Sequence, residues 1–216
     1  MSEIIEKTIE FVKRELSDSE GGHDWWHCYR VWGMSKKIAE SEDVKMEVVE
    51  LAALLHDIAD SKFYDGNEEV GPQKAYDFLT SMGVDENIKN EVIDIIRKIS
   101  FKNKASVLEK SKALQIVQDA DRLDAIGAIG IVRAFNYGGY KNRSLYNPDI
   151  KPNLNMSKEE YKNTTAPTIN HFYEKLLLLK DMMNTKKAKQ IAENRHRFMQ
   201  VYLEQFYKEW ETEDFE

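Results

Sequence analysis

Apolar residues recur at intervals of three and four through most of the chain, a period that predicts helices. Ser2 is placed as an N-cap, and Ile4, Ile5, Thr8, Ile9, Val12 and Leu16 draw one face of a first helix. Ser17 to Gly22 breaks it, and a second helix runs from Asp24 or Trp25 to about Ser41, with Trp25, Tyr29, Trp32, Ile38 and Ala39 as its apolar surface. A third, from about Lys45 to Ile58, contains VVELAALLHDIAD, which is apolar nearly all round and therefore belongs at the centre of a bundle. Residues 60–69 read as a loop, Gly71-Pro72 starts a helix over about 72–82, and Met82-Gly83 separates it from another over about 85–100. Leu114, Ile116, Val117, Leu123 and Ile126 mark a helix over about 111–126. The stretch from Asn136 to Asn155, with Gly138, Gly139, Pro148 and Pro152, reads as a long exposed loop of functional size. Pro167 opens a helix to about Met183, and a last one runs from about Thr185 to Trp210.

The expected fold class is therefore all-α, a single-domain helical bundle over 1–216 with core helices at about 23–134 and the helices at about 167–210 packed on them. Gly and Pro, 10 and 4 of 216 residues, leave little turn material for many short strands. Hydrophobic residues at 42% supply a sizeable core, and no internal repeat or linker divides the chain. A formal charge of -7 opposes roles that depend on attraction to nucleic-acid polymers or anionic membranes, while a local basic cluster can still take a small anion. Cys28 is the only cysteine, which excludes an intramolecular disulfide and a thiolate zinc site, so a reducing cytoplasm is expected. The opening MSEIIEKTIEFVKREL mixes charge with apolar residues, unlike a signal peptide, and no stretch approaches a membrane span.

Candidate chemistry begins at His56-Asp57, near the end of the most apolar helix, where an unpartnered carboxylate is costly to desolvate. A metal ion meets that need, and so does a hydrogen-bonded His-Asp pair; His23-Asp24 is a second such dipeptide. His23 and His27 lie four apart, as a pair on one helix face, although Gly21-Gly22 places His23 at a frayed start. Asp57 and Asp60, and again Asp121 and Asp124, are three apart, so spacing alone leaves two candidate acids at each point. Glu193-Asn-Arg-His196, with Glu20-Gly-Gly-His23 on a helix-breaking glycine pair, admits a di-iron-type oxygenase as an alternative. A non-catalytic metal-binding helical regulatory module is the other.

Taken together, GGHDWWHCYRVW, ELAALLHDIADSKFYDG, IVQDADRLDAIGAIGI, YGGYK and TINHFYEKLLLLKDMMNT resemble the HD-domain metal-dependent phosphohydrolases, in the small single-domain bacterial YpgQ/YedJ-like branch. The resemblance implies a helical bundle with a central metal site and ligands at His27, His56, Asp57 and Asp121. It implies a single divalent ion, Mn²⁺ first and Fe²⁺, Co²⁺, Ni²⁺, Mg²⁺ or Zn²⁺ as alternatives, since no further histidine lies between 56 and 171 to build a second site. Asp60 matches the acidic position four after the HD histidine and is the candidate proton acceptor, although Ser61 stands where some relatives carry a second acid. The implied activity is hydrolysis of a phosphoester or phosphoanhydride, such as a nucleoside triphosphate, by metal-activated water. Substrate contacts are expected from Lys62, Arg30, Arg122, Tyr140, Lys141 and His23, with Arg122 and Arg30 also able to form structural ion pairs. Trp25 and Trp26 are expected in the core or a pocket wall, and Phe198, Tyr202, Phe206 and Trp210 offer an exposed aromatic face, leaving monomer and homodimer both open.

Overall fold

The segment that the sequence marks as apolar on all sides, α3 (Met46–Leu55), organises the N-terminal part of the computed structural model. Val48, Val49, Leu51, Ala52, Ala53, Leu54 and Leu55 expose no surface at all. Around α3 pack α1 (Glu3–Glu15), α2 (Trp25–Ala39) and α5 (Glu86–Lys98), with α4 (Val70–Ser81) laid against α5. At about 1.5–3 kcal/mol for each large aliphatic side chain taken out of water, this helix supplies much of the apolar burial that holds its neighbours. The structure describes residues 2–17, 24–59, 64, 66–99, 110–157, 160 and 163–213, and every regular element among them is a helix. They fall into two compact units, Met1–Asp121 and Arg122–Glu216.

Within the first unit, α1 turns Ile5, Thr8 and Val12 inward, and Phe11 stacks on Phe78 of α4 at 4.2 Å. Lys74 of α4 donates to Glu15 at 2.8 Å, and that carboxylate holds the ammonium charged above its ordinary range. Gly83, at φ +69°, ends α4 in the left-handed conformation while its N–H reaches Thr80 O at 3.0 Å. Asp85 then starts α5, accepting from the Asn87 and Ile88 amides at 2.9 and 3.4 Å. The division between the units falls inside α6 (Lys112–Asp124), between Asp121 and Arg122.

In the second unit α7 (Gly127–Tyr140) packs on α9 (Lys186–Trp210), and α9 packs on a 3₁₀ helix (Leu176–Met182) that follows the short α8 (Asn170–Glu174). Two expectations are corrected here. Gly138 and Gly139 do not open a loop at Asn136, because α7 continues to Tyr140. Gly138 is instead a point of close approach, where an added Cβ would collide with Thr168 Oγ1. The helix expected over 167–183 also breaks at Lys175 (φ −144°), and the LLLLKDM segment adopts the three-residue period that buries Leu176 and Leu179 together.

The exposed aromatic face expected on the last helix is likewise only half there. Phe198 and Trp210 are 51% and 43% exposed, whereas Tyr202 stacks on Phe172 at 6.0 Å and Phe206 meets Tyr146 edge-on at 6.0 Å within the unit. Trp26, expected in the core or a pocket wall, is 59% exposed because the second residue of α2 faces solvent. Cys28 is buried and in no disulfide, and no described helix is long and apolar enough to cross a membrane.

Candidate metal centre

Asp24 fixes the first turn of α2: its Oδ1 accepts from the His27 amide at 2.9 Å and leaves the His27 side chain pointing inward, almost wholly buried. His56 follows α3 as its C-cap, two residues before the predicted helix end near Ile58. Its ring explains the early stop, since Nδ1 lies 2.8 Å from Ala53 O, one of the carbonyls that a helix terminus leaves without an amide partner. A carbonyl only accepts, so the neutral imidazole carries its proton on Nδ1 and presents the Nε2 lone pair to the site.

That lone pair points at His27 Nε2, 3.2 Å away, with the rings edge to face. Asp57 Oδ2 is 3.7 Å from His27 Nε2, and Asp121 Oδ1 is 3.5 Å from His27 Nε2 and 3.9 Å from His56 Nε2. The donor atoms of His27, His56 and Asp57 all lie within 4.8 Å of one another. Ligands about 2.1 Å from a shared ion stand about 3.0 Å apart at octahedral angles and about 3.4 Å apart at tetrahedral ones, so the set has nearly the spacing a small divalent cation needs. The donor chemistry fits as well. Two imidazoles with side chains 2% and 4% exposed face two carboxylates 20% and 38% exposed, which places the open side toward the aspartates. With a dication, two neutral nitrogens and two carboxylates sum to near neutrality, which removes the cost of crowding two acids beside buried rings.

Comparison with known proteins identifies the family in which this cluster of side chains lies. The family model described as the HD domain matches residues 25–126, which contain all four of these side chains. The protein YpgQ of Bacillus subtilis is 38% identical over 201 residues, covering 92% of this chain and 90% of its own. The chain belongs to the HD-domain superfamily. Within it the YpgQ-like branch is the match: the crystal structure of Bacillus subtilis YpgQ in complex with ADP superposes with a TM-score of 0.76 at 36% identity, covering 95% of this chain and 94% of that one. An HD-superfamily hydrolase from Bacillus thuringiensis gives a TM-score of 0.75 at 46% identity over 96% of each chain. A protein from Lactobacillus plantarum gives 0.85 at 34% over 98% and 99%.

The other residues singled out in this HD domain are distributed less evenly. Asp60, Lys62 and His23 lie outside the described residues, as does Glu20. Arg30 is half-buried on α2, three residues from His27. Arg122 is buried, and its Nη1 donates to Met182 O at 2.5 Å. Tyr140, 56% exposed, ends α7, and the Lys141 ammonium sits 5.2 Å from the centre of its ring. Glu193 is exposed and pairs with Lys180 at 3.4 Å. Two groups that spacing did not single out support the site's helices: the Asp24 cap and the Ala53 carbonyl. The Asp24 cap could have been found from its position before Trp25, but a backbone carbonyl leaves no mark in a sequence.

Proposed function

We propose that the protein is a metal-dependent phosphohydrolase that cleaves a phosphoester or phosphoanhydride, most naturally in a nucleotide such as a nucleoside triphosphate. The observation that carries this is the cluster of His27, His56 and Asp57, whose donor atoms all lie within 4.8 Å of one another, with Asp121 Oδ1 3.5 Å from His27 Nε2 and 3.9 Å from His56 Nε2. The nucleotide preference is supported by the ADP held in the related YpgQ structure. The whole chain is taken as one HD-domain protein, since its solved relatives match it over 95–98% of its length. A reducing, cytoplasmic setting suits its single buried cysteine.

His27, His56, Asp57 and Asp121 would hold one divalent ion, Mn²⁺ by preference. When bound, such an ion supplies Lewis acidity to the phosphate oxygens and to the attacking water. Asp60 accepts the proton that the water loses as its oxygen attacks phosphorus and the bond to the leaving oxygen breaks. Lys62, Arg30 and Lys141 neutralise the charge that moves onto the leaving group, and Tyr140 offers a ring face for a base or ribose. Arg122 and His23 complete the expected contacts, although Arg122 already donates to a backbone carbonyl.

The test is a hydrolysis screen of Mn²⁺-, Mg²⁺- and Co²⁺-loaded protein against nucleotides, with phosphate, diphosphate and triphosphate release read separately. Diphosphate release from a triphosphate identifies a pyrophosphohydrolase, and phosphate release identifies a phosphatase or nucleotidase. Inertness toward every nucleotide by protein that binds metal would overturn the proposed substrate class.

A further inference from the structure

Asp121 stands in the last turn of α6, a place where four carbonyls have no intrahelical amide to accept from. Two of them receive ordinary turn bonds, from Ala125 N to Arg122 O and from Ile126 N to Leu123 O, each at 3.2 Å. The turn is then gripped by side chains distant in sequence. Arg195 of α9 donates from Nη1 to Leu123 O at 2.5 Å. Arg133 of α7 donates from the same kind of nitrogen to Asp124 Oδ2 at 2.5 Å and lies 3.5 Å from Asp124 O. The stem of Arg195 lies over Gly127, where a Cβ would meet Arg195 Cγ at 3.0 Å, and Gly127 itself has φ +77°.

This is more than a helix end requires. A C-terminus near solvent is satisfied by water and a left-handed glycine, and a guanidinium that gives up solvent to serve it costs free energy. Burial indeed lowers the pKa of Arg195, against the pull of the Asp124 charge. Asp124 is itself buried, and an ion pair so placed is poor evidence of stabilisation, because desolvation offsets much of its Coulomb gain. What such a pair does supply is a single geometry for the turn it holds.

We propose, on the footing of the metal-site assignment, that Arg195 and the Asp124–Arg133 pair are positioning residues for Asp121. They hold the final turn of α6 in one conformation so that the Asp121 carboxylate stays aimed at His27 and His56. Outer groups that orient ligands in this way typically contribute about 10- to 100-fold to metal affinity.

The experiment is a Mn²⁺ titration of the full chain by calorimetry, comparing wild type, Arg195→Met, Arg195→Lys, Asp121→Asn and the double variant Arg195→Met/Asp121→Asn. Arg195→Met is expected to weaken Mn²⁺ binding about 10-fold or more with an unchanged far-ultraviolet spectrum, and Arg195→Lys to recover most of the loss. In the Asp121→Asn background the same Arg195 change is expected to cost less than 3-fold, because the carboxylate it positions is gone. Arg133→Gln provides the same comparison should Arg195→Met not fold. Affinity equal to wild type in Arg195→Met, or an equal loss in both backgrounds, would overturn the positioning role alone. Absence of Mn²⁺ binding by the wild type would overturn the metal-site assignment and this role with it.

Discussion

On the proposed assignment, metal should stabilise this protein through His27, His56, Asp57 and Asp121, and removing one of them should remove most of the effect. At a Mn²⁺ concentration 100 times the dissociation constant, binding to the folded state alone adds about 2.7 kcal/mol. For a chain of this length each kcal/mol moves Tm by roughly 2–4 °C, so the expected rise is about 5–11 °C. His56→Ala removes a nitrogen whose lone pair is aimed into the site by the bond from Nδ1 to Ala53 O. If affinity falls 100-fold, the same Mn²⁺ concentration adds only about 0.4 kcal/mol, or about 1–2 °C. The assay is thermal unfolding followed by tryptophan fluorescence, because Trp25, Trp26 and Trp32 flank His27 on α2 and report on the unit that holds the site. Chelator-treated wild type should melt with the low-metal curve and recover on adding Mn²⁺. An undiminished Mn²⁺ shift in His56→Ala, or no shift in the wild type, would refute the reasoning.

Loss of the α2 cap in Asp24→Ala should cost about 1 kcal/mol in urea unfolding, with Asp24→Asn close to wild type because it still accepts from the His27 amide. Gly138→Ala should destabilise by about 1–3 kcal/mol through its collision with Thr168, while Gly139→Ala, facing open space in the same helix, should be neutral or gain up to about 1 kcal/mol. Circular-dichroism melts of the two alanine variants check this. His171 gives a pH dependence: burial first, then the charges of Lys175 and Arg143, lower its pKa from 6.5 to about 3. The neutral ring therefore favours the native state fully above pH 6.5, and stability falls as pH drops toward 3 by at most about 1.4 kcal/mol per pH unit. His171→Gln should flatten the fall in urea midpoints between pH 7 and pH 4.5.

The helices of the N-terminal unit were legible because burial there is written as periodicity. Val48 to Leu55 has no polar face and lies at the centre, and Ile5, Thr8 and Val12 recur at the spacing that turns them inward. His27, His56, Asp57 and Asp121 were reached through the order of their motifs, since spacing alone left Asp60 and Asp124 equally eligible. What local pattern hid were contacts between distant segments. Gly138 looks like a turn residue until Thr168 is known to sit against it. The tetrad Leu176 to Leu179 looks like an α-helical stripe until its burial shows a period of three. Arg195 looks like one charge in a polar helix until it is found on the carbonyl of Leu123, 72 positions away.

The central claim is that four side chains share one ion, and a Mn²⁺-soaked crystal measured at the manganese absorption edge tests it most directly. An anomalous peak about 2.0–2.3 Å from His27 Nε2, His56 Nε2 and one oxygen each of Asp57 and Asp121 is the predicted result. A peak that leaves out the histidines, or no peak at this point in protein soaked to saturation, would contradict it.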